Sequence, residues 1–454
     1  MHRLNGYLVP HPPLIVPGVG NGSEIPDTRK AYNKAANEIR KEAPDTIIII
    51  SPHSIMYDDY IHISPGESAK GDFSAFGASD IAMEAEYDSK LADEIGKIAR
   101  SEHISAGVLG ERTTSLDHGV MVPLHFIGTN YRIVRISLSG LSLLEHYRFG
   151  MCIRKAAEKL SRHIVIAASG DMSHKLKTQG PYGFAPEGLK FDALVCECIK
   201  NNAYKPLLTM EAELYEHAAE CGLRSLIMML GAMDGFHVKS ELLCYEGPFG
   251  VGYLTASFTA EGREESNLSF LLEERNKKLS CRREHEDAFV RLARENIESY
   301  LLKGKMIELP PDLPREMIIR KAGVFVSIKK DGRLRGCIGT ISPTQINIAQ
   351  EILHNSISAA MEDPRFEPVV ATELDSLVYS VDVLAPAEPI DSPDLLDVER
   401  YGVIVANGLK RGLLLPNLDG IDCVDEQISI AKQKAGIGHN EPYSLERFEV
   451  VRHK

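Results

Sequence analysis

The sequence predicts an α/β protein: a three-layer α/β/α domain with a mixed central sheet, followed by a smaller α+β domain. Three observations carry this. A chain of 454 residues is longer than one hydrophobic core usually supports. Short β-rich runs alternate with helix-length segments as far as about residue 258, which places helices on both faces of a sheet. The alternation then stops at "AEGREESNLSFLLEERNKKLSCRREHED", dense in charge of both signs, which reads as a linker with a short amphipathic helix. The divisions that follow are a first domain over 1–259, a charged linker over 260–286 and a second domain over 287–454.

Along the first domain the apolar runs predict strands at 4–9, 46–51, 132–137, 163–168 and 249–258. Helical periodicity falls at 28–43, 81–101, 143–160, 187–201 and 221–233. The second domain begins with a helix at 287–303, then strands at 322–329 and 334–341, a helix at 345–361 and a strand at 375–384. Asp331-Gly332, between two β runs, is a hairpin signal.

The composition is that of an ordinary globular protein, 44% apolar and 25% charged. A net charge of −13 disfavours nucleic acid or an anionic membrane as the main partner. With no eighteen-residue apolar run and no secretory pattern at the start, the expected location is cytoplasmic. The eight cysteines form no CxxC pair and no zinc-finger spacing, so reduced and mostly buried thiols are expected.

Two apolar segments end in the same way. "YLVPHPPLIVPG" runs into His11 and two prolines, and "TIIIISPHS" drives four isoleucines into Ser51, Pro52 and His53. In an open α/β sheet, ligands bind outside the carboxyl ends of the strands, where both histidines fall. "RHIVIAASGDMSH" brings Asp171 and His174 to the end of a further strand. "TTSLDHGVMVPLHF" puts His118 between an acid and a glycine, and "SELLCYEGPFGVGY" offers Glu246, with Glu241 before it. Two imidazoles and one carboxylate form the ligand set of non-haem Fe(II) with one face open. Further histidines nearby suit acid–base work near neutral pH. Taken singly, each is more often a hydrogen-bonded turn residue than a ligand; the joint pattern singles them out.

"PHPPLIVPG", "SPHS", "LDHGVMVPLHF", "SGDMSH" and "YEGPFGVGY", in that order over about 1–258, resemble the class III extradiol dioxygenase superfamily (catalytic B-subunit type), and especially its Memo-like branch. The resemblance implies Fe(II) on His11, His53 and a late glutamate, best matched by Glu246, with His118 and His174 as the acid–base pair. It also implies an oxygen-dependent reaction on a small molecule, aromatic or catecholic in class. Memo-like members can use cysteine as third ligand. Cys244, near Glu246, would then soften the site toward Cu(I) or Zn. Glu246, Glu241 and Cys244 remain open at this point.

In the second domain "DGRLRGCIGTISP" places Cys337 on a strand between glycines, with Arg333 and Arg335 expected on its face. Such cations would favour thiolate, whereas a small buried hairpin cysteine is the plainer reading. With "SISAAMEDPRFEPV", "GLKRGLLLPNLDG" and "ISIAKQKAGI", this segment resembles the AMMECR family over roughly 287–452. A fusion of the two resembles AmmeMemoRadiSam systems, which implies a separate radical-SAM protein as partner; homodimerisation stays open. The leading expectation is a metal-dependent oxidoreductase. The alternatives are a non-catalytic iron-, copper- or zinc-binding scaffold, and thiol chemistry at Cys337.

Overall fold

The structure is a computed structural model that describes residues 4–20, 22–330, 332–418 and 420–454. The chain forms two compact units, 1–274 and 275–454.

The first unit is built on six strands: β1 (Asn5–Val9), β2 (Thr46–Ser51), β3 (Arg132–Ser137), β4 (Ile164–Ser169), β5 (His237–Glu246) and β6 (Tyr253–Glu261). Their spatial order is β3-β2-β4-β1-β6-β5. The first four are mutually parallel, and β6 and β5 continue the sheet antiparallel, so the sheet is mixed. The isoleucine run of β2 is apolar throughout because both faces are covered. Ile48 and Ile50 enter one core, Ile47 and Ile49 the other. Helices α1 (Pro26–Glu42) and α2 (His118–Ile127) supply Tyr32, Ile39, Val120 and Leu124 to the second of these cores. Ser89–Ser101, Leu143–Lys159 and Leu223–Ala232 line the first. Parallel pairing of Val9 with Ser169, and of Ser51 with Ser137, aligns the strands' carboxyl ends at one edge of the sheet.

Two predicted elements change. Residues 81–86, read as helix, lie in the strand Ala78–Glu86, paired in a hairpin with Ser68–Phe73. The helix starts only at Ser89, because the buried carboxylate of Asp88 accepts from Leu91 N at 3.1 Å and caps it there. The closing strand read at 249–258 is Tyr253–Glu261, and β5 precedes it where the sequence reading placed no element.

The second unit is α+β. One antiparallel sheet has the order Arg333–Gly339, Val324–Lys330, Leu377–Leu384, Val450–His453, and helices Ala288–Lys303 and Ile348–Met361 supply the residues that pack on it. A second sheet of four short strands carries the helix Val424–Ala435. The first hairpin closes at Lys330↔Arg333, where the turn was expected; Asp331 itself lies outside the described residues. The stretch read as linker contains the 19-residue helix Asn267–His285. Among the described residues no helix is long and apolar enough to cross a membrane.

Candidate metal centre

His11 follows the end of β1, where three prolines (10, 12 and 13) prevent further pairing. It is buried, its backbone N–H donates to Asp171 Oδ1 at 3.0 Å, and its Nδ1 lies 3.0 Å from Ser169 Oγ at the end of β4. With the proton on Nδ1, Nε2 keeps its lone pair for the interior of the site. His53 follows β2, and its Nε2 is 3.0 Å from His11 Nε2. His118 is the first residue of α2, a helix capped by Asp117. The rings of His53 and His118 lie 4.0 Å apart, and His11 is 4.8 Å from the first and 5.3 Å from the second. One nitrogen of each of the three falls within 4.8 Å of the others.

Burial lowers the affinity of these imidazoles for protons. It pushes His11 down to about 3, assisted by repulsion from His53. His118 also falls to about 3, from burial and then from His53 and His11, and burial lowers His53. Neutral imidazoles at this spacing share at most a proton, as His53 Nε2 and His11 Nε2 can at 3.0 Å, and their lone pairs are available to a cation.

A second ring of groups surrounds the first. Asp171 Oδ2 lies 3.9 Å from His11 Nε2, and burial raises its carboxyl to about 6. His174, lowered by burial, has its ring 5.1 Å from that of Tyr182. Cys221 was not singled out in the sequence. Its Sγ is 3.7 Å from both His11 Nε2 and His174 Nε2, and 3.2 Å from the N–H of Asp171. It stands one residue before the N-cap Gly222 of the helix Leu223–Ala232, next to the helix start, and the cysteine–glycine pair is the local signal. Beside His118 opens a recess of about 810 Å³ that also takes in Phe76, Met83 and Met121. A second cavity of about 810 Å³, around Phe236 and Arg154, borders the starts of β1 and β4, at the opposite edge of the sheet from the histidines.

The structure does not bring the expected third ligand to the histidines. Glu246 Oε1 accepts from Thr28 N at 2.7 Å and Thr28 Oγ1 at 2.6 Å, so the carboxylate serves the first turn of α1. Glu241 pairs with Lys34 at 2.8 Å, and Cys244 Sγ lies 3.9 Å from Thr28 Oγ1. All three sit on β5, the sheet's edge strand, two strands away from β1. Among the described residues, the group able to hold an ion contains none of them. The sulfur beside the histidines is Cys221.

Cys337 is half-buried on the strand Arg333–Gly339. Its Sγ accepts from Ser327 Oγ at 3.2 Å, and burial raises its thiol pKa above the ordinary value. Arg335 turns elsewhere: it bonds Glu373 at 2.9 and 3.1 Å, because a register shift at this point of the hairpin disrupts strict alternation. A cation beside Cys337 is Arg365, which donates to its carbonyl at 3.1 Å and chelates Asp363. Nor do the flanking glycines leave room for a ligand. A Cβ at Gly336 would meet Ala359 O at 2.2 Å, and one at Gly339 would meet the Phe325 ring at 2.3 Å. Both glycines serve close packing.

Residues 5–256 match the family described as the catalytic LigB subunit of aromatic ring-opening dioxygenase, and residues 290–453 match AMMECR1. Protein CA_C1420 of Clostridium acetobutylicum is 43% identical over 465 residues, covering 99% of each chain. A Thermotoga maritima protein is 49% identical over 171 residues, 37% of this chain and 98% of its own. Among solved structures, protein PH0010 of Pyrococcus horikoshii is 36% identical and covers 36% of this chain and 88% of that one, with a TM-score of 0.34.

Proposed function

Since the chain belongs to the LigB family of ring-opening dioxygenase catalytic subunits over 5–256, with an AMMECR1 domain over 290–453, we propose that its first unit is a metal-dependent oxidoreductase. The ion is held between His11 and His53, with His118 as the third donor. The observation that carries this is the convergence, within 4.8 Å, of three imidazoles whose proton affinity is lowered, His11 buried, His118 half-buried and His53 exposed. The donors fit a divalent transition ion, Fe(II) before Zn or Cu in a family of oxygen-using enzymes. Such an ion supplies Lewis acidity and, as iron, redox chemistry with dioxygen.

The chain's own residues do the rest. Ser169 fixes the His11 ring, and Asp171 holds the same loop through the His11 N–H. His174, neutral and beside the exposed Tyr182, is the base for a hydroxyl of a small substrate. The recess at His118 has an apolar side of Phe76, Met83 and Met121 and a charged side that includes Lys70, Asp72 and Glu84, which suits a ring carrying polar substituents. A specific observation favours a second reading. Cys221 Sγ, 3.7 Å from His11 Nε2, is a soft donor that would turn the site toward Zn or Cu handling.

The test is anaerobic loading with Fe(II), metal analysis, and oxygen uptake with a panel of catechols, on wild type and on His53→Ala, His118→Ala and Cys221→Ser. Stoichiometric iron, lost in His53→Ala and His118→Ala, with catechol-dependent oxygen uptake supports the proposal. Iron retained in His118→Ala and lost in Cys221→Ser moves the third donor to the sulfur. No binding above the His53→Ala background overturns the reading.

A further inference from the structure

His53 and His118 come from different elements, and one carboxylate ties those elements together. Asp117 Oδ1 accepts from Ser51 Oγ at 2.6 Å and from Val120 N at 3.2 Å; Oδ2 accepts from Ser54 Oγ at 2.7 Å. Ser51 ends β2, its Oγ also accepts from His53 N at 3.2 Å, and Ser54 directly follows His53. A single side chain thus holds both ends of the turn that carries His53, and also the first turn of the helix that begins at His118.

Two further features show that this contact is built in. Gly119 is required by it, since a Cβ there would fall 2.3 Å from Ser51 Oγ and 3.0 Å from Asp117 Oδ1. On the far side Arg135 of β3, 2% exposed, places Nε 3.8 Å from Asp117 Oδ2. That Nε makes no hydrogen bond, so it acts on the carboxylate by charge, while the same guanidinium donates to Ser115 O at 2.7 Å. A buried guanidinium is costly without a neighbouring negative charge, and Asp117 supplies one beside the donor cluster.

We propose that Asp117 is a positioning residue: it sets the separation of His53 and His118 before any ion arrives, with Arg135 as its buried counter-charge. This rests on the reading of His11, His53 and His118 as the ion's holders. Pre-organisation is the physical content. Donors held apart at the right spacing need not be gathered when the ion binds, and groups that orient ligands in this way typically contribute 10–100-fold in metal affinity.

The variant that isolates the role is Asp117→Asn. Asparagine caps a helix as well as aspartate, so the start of α2 survives. Its amide has one acceptor oxygen and an NH₂ group, so a serine hydroxyl facing the NH₂ must turn from donor to acceptor, and the charge pairing with Arg135 is lost. Ser54→Ala removes only the anchor beyond His53. The full chain is titrated with Co(II) by calorimetry and by visible absorption. The expected result is about 10–100-fold weaker binding with an altered Co(II) band in Asp117→Asn. Ser54→Ala should fall between that variant and wild type. Wild-type affinity and an unchanged band in both variants overturn the proposal. Crystal structures of metal-free wild type and Asp117→Asn keep this separate from the metal reading. If wild type takes up no Co(II), the ion assignment fails, and the ring separation decides the positioning claim. A His53–His118 separation displaced from 4.0 Å in the variant upholds it, and one retained overturns it.

Discussion

Replacing Glu246 by alanine should weaken the fold of the first unit and leave the histidine cluster able to bind metal. Glu246 Oε1 receives two donors from Thr28, the backbone N–H at 2.7 Å and the hydroxyl at 2.6 Å. Thr28 is 0% exposed, so water does not readily replace the lost acceptor. A buried donor left without a partner costs about 1–3 kcal/mol, and removing a carboxylate from a helix N-terminus costs about 0.3–1 kcal/mol more. The hydroxyl can rotate toward Cys244 Sγ, 3.9 Å away, so the backbone N–H is the main loss and the total is about 2 kcal/mol. At ~2–4 °C per kcal/mol for a unit of this size, the thermal midpoint should fall by ~4–8 °C. Circular dichroism melting and Co(II) calorimetry on the same preparations check both halves. Glu246→Gln, which keeps one acceptor oxygen, should recover part of the stability. A thermal midpoint that does not move while Co(II) affinity collapses would refute the reasoning and restore Glu246 as a ligand.

Three other outcomes are expected. Cys337, with a burial-raised thiol, should alkylate with iodoacetamide near neutral pH more slowly than the exposed Cys281 and Cys423; peptide mass spectrometry showing it fastest would return it to the nucleophile class. Asp363 is held down at about 2 by its hydrogen bonds from Arg365, below the unfolded value of about 3.9. The stability from this pair is therefore present above about pH 4 and lost as pH falls toward 2. Urea midpoints of wild type and Arg365→Ala should differ at pH 6 and converge only as pH approaches 2, and a gap constant with pH would contradict it. A chain ending at Glu274 should be more stable to heat than one ending at Ser266, because only the longer keeps Leu271 in the core and Phe270 under Lys205, 4.6 Å from the ring; equal melting points would show that these contacts contribute nothing.

What the sequence determined by itself is what local pattern and strand order encode. Four consecutive isoleucines can satisfy neither a half-exposed strand nor an amphipathic helix, and Ile47 to Ile50 are all 0% exposed in a central parallel strand. Prolines around His11, and Pro52 before His53, stop pairing where the strands end. Parallel register then brings those ends to one edge of the sheet, so His11 and His53 were legible as a pair of donors, whereas His118, at a helix start, was read as an acid–base residue and not as the third donor. The hairpin over residues 68–86 was not, because its apolar spacing passes for a helix until Asp88 caps the real one. The surroundings of the histidines were decided by tertiary structure alone. Glu246 and Cys244 stand close to a familiar motif, yet β5 is an edge strand whose side chains meet α1. Cys221 carries no spacing signal, yet its helix packs where Asp171 and His174 emerge and delivers the sulfur within 3.7 Å of two histidines. In the second unit a single register shift sends Arg335 to Glu373 and leaves Arg365 beside Cys337. The physical reason is common to all three. Pattern in one dimension specifies which face of an element is buried, whereas which side chains meet across elements depends on sheet order, bulges and helix placement, which no short stretch of sequence contains.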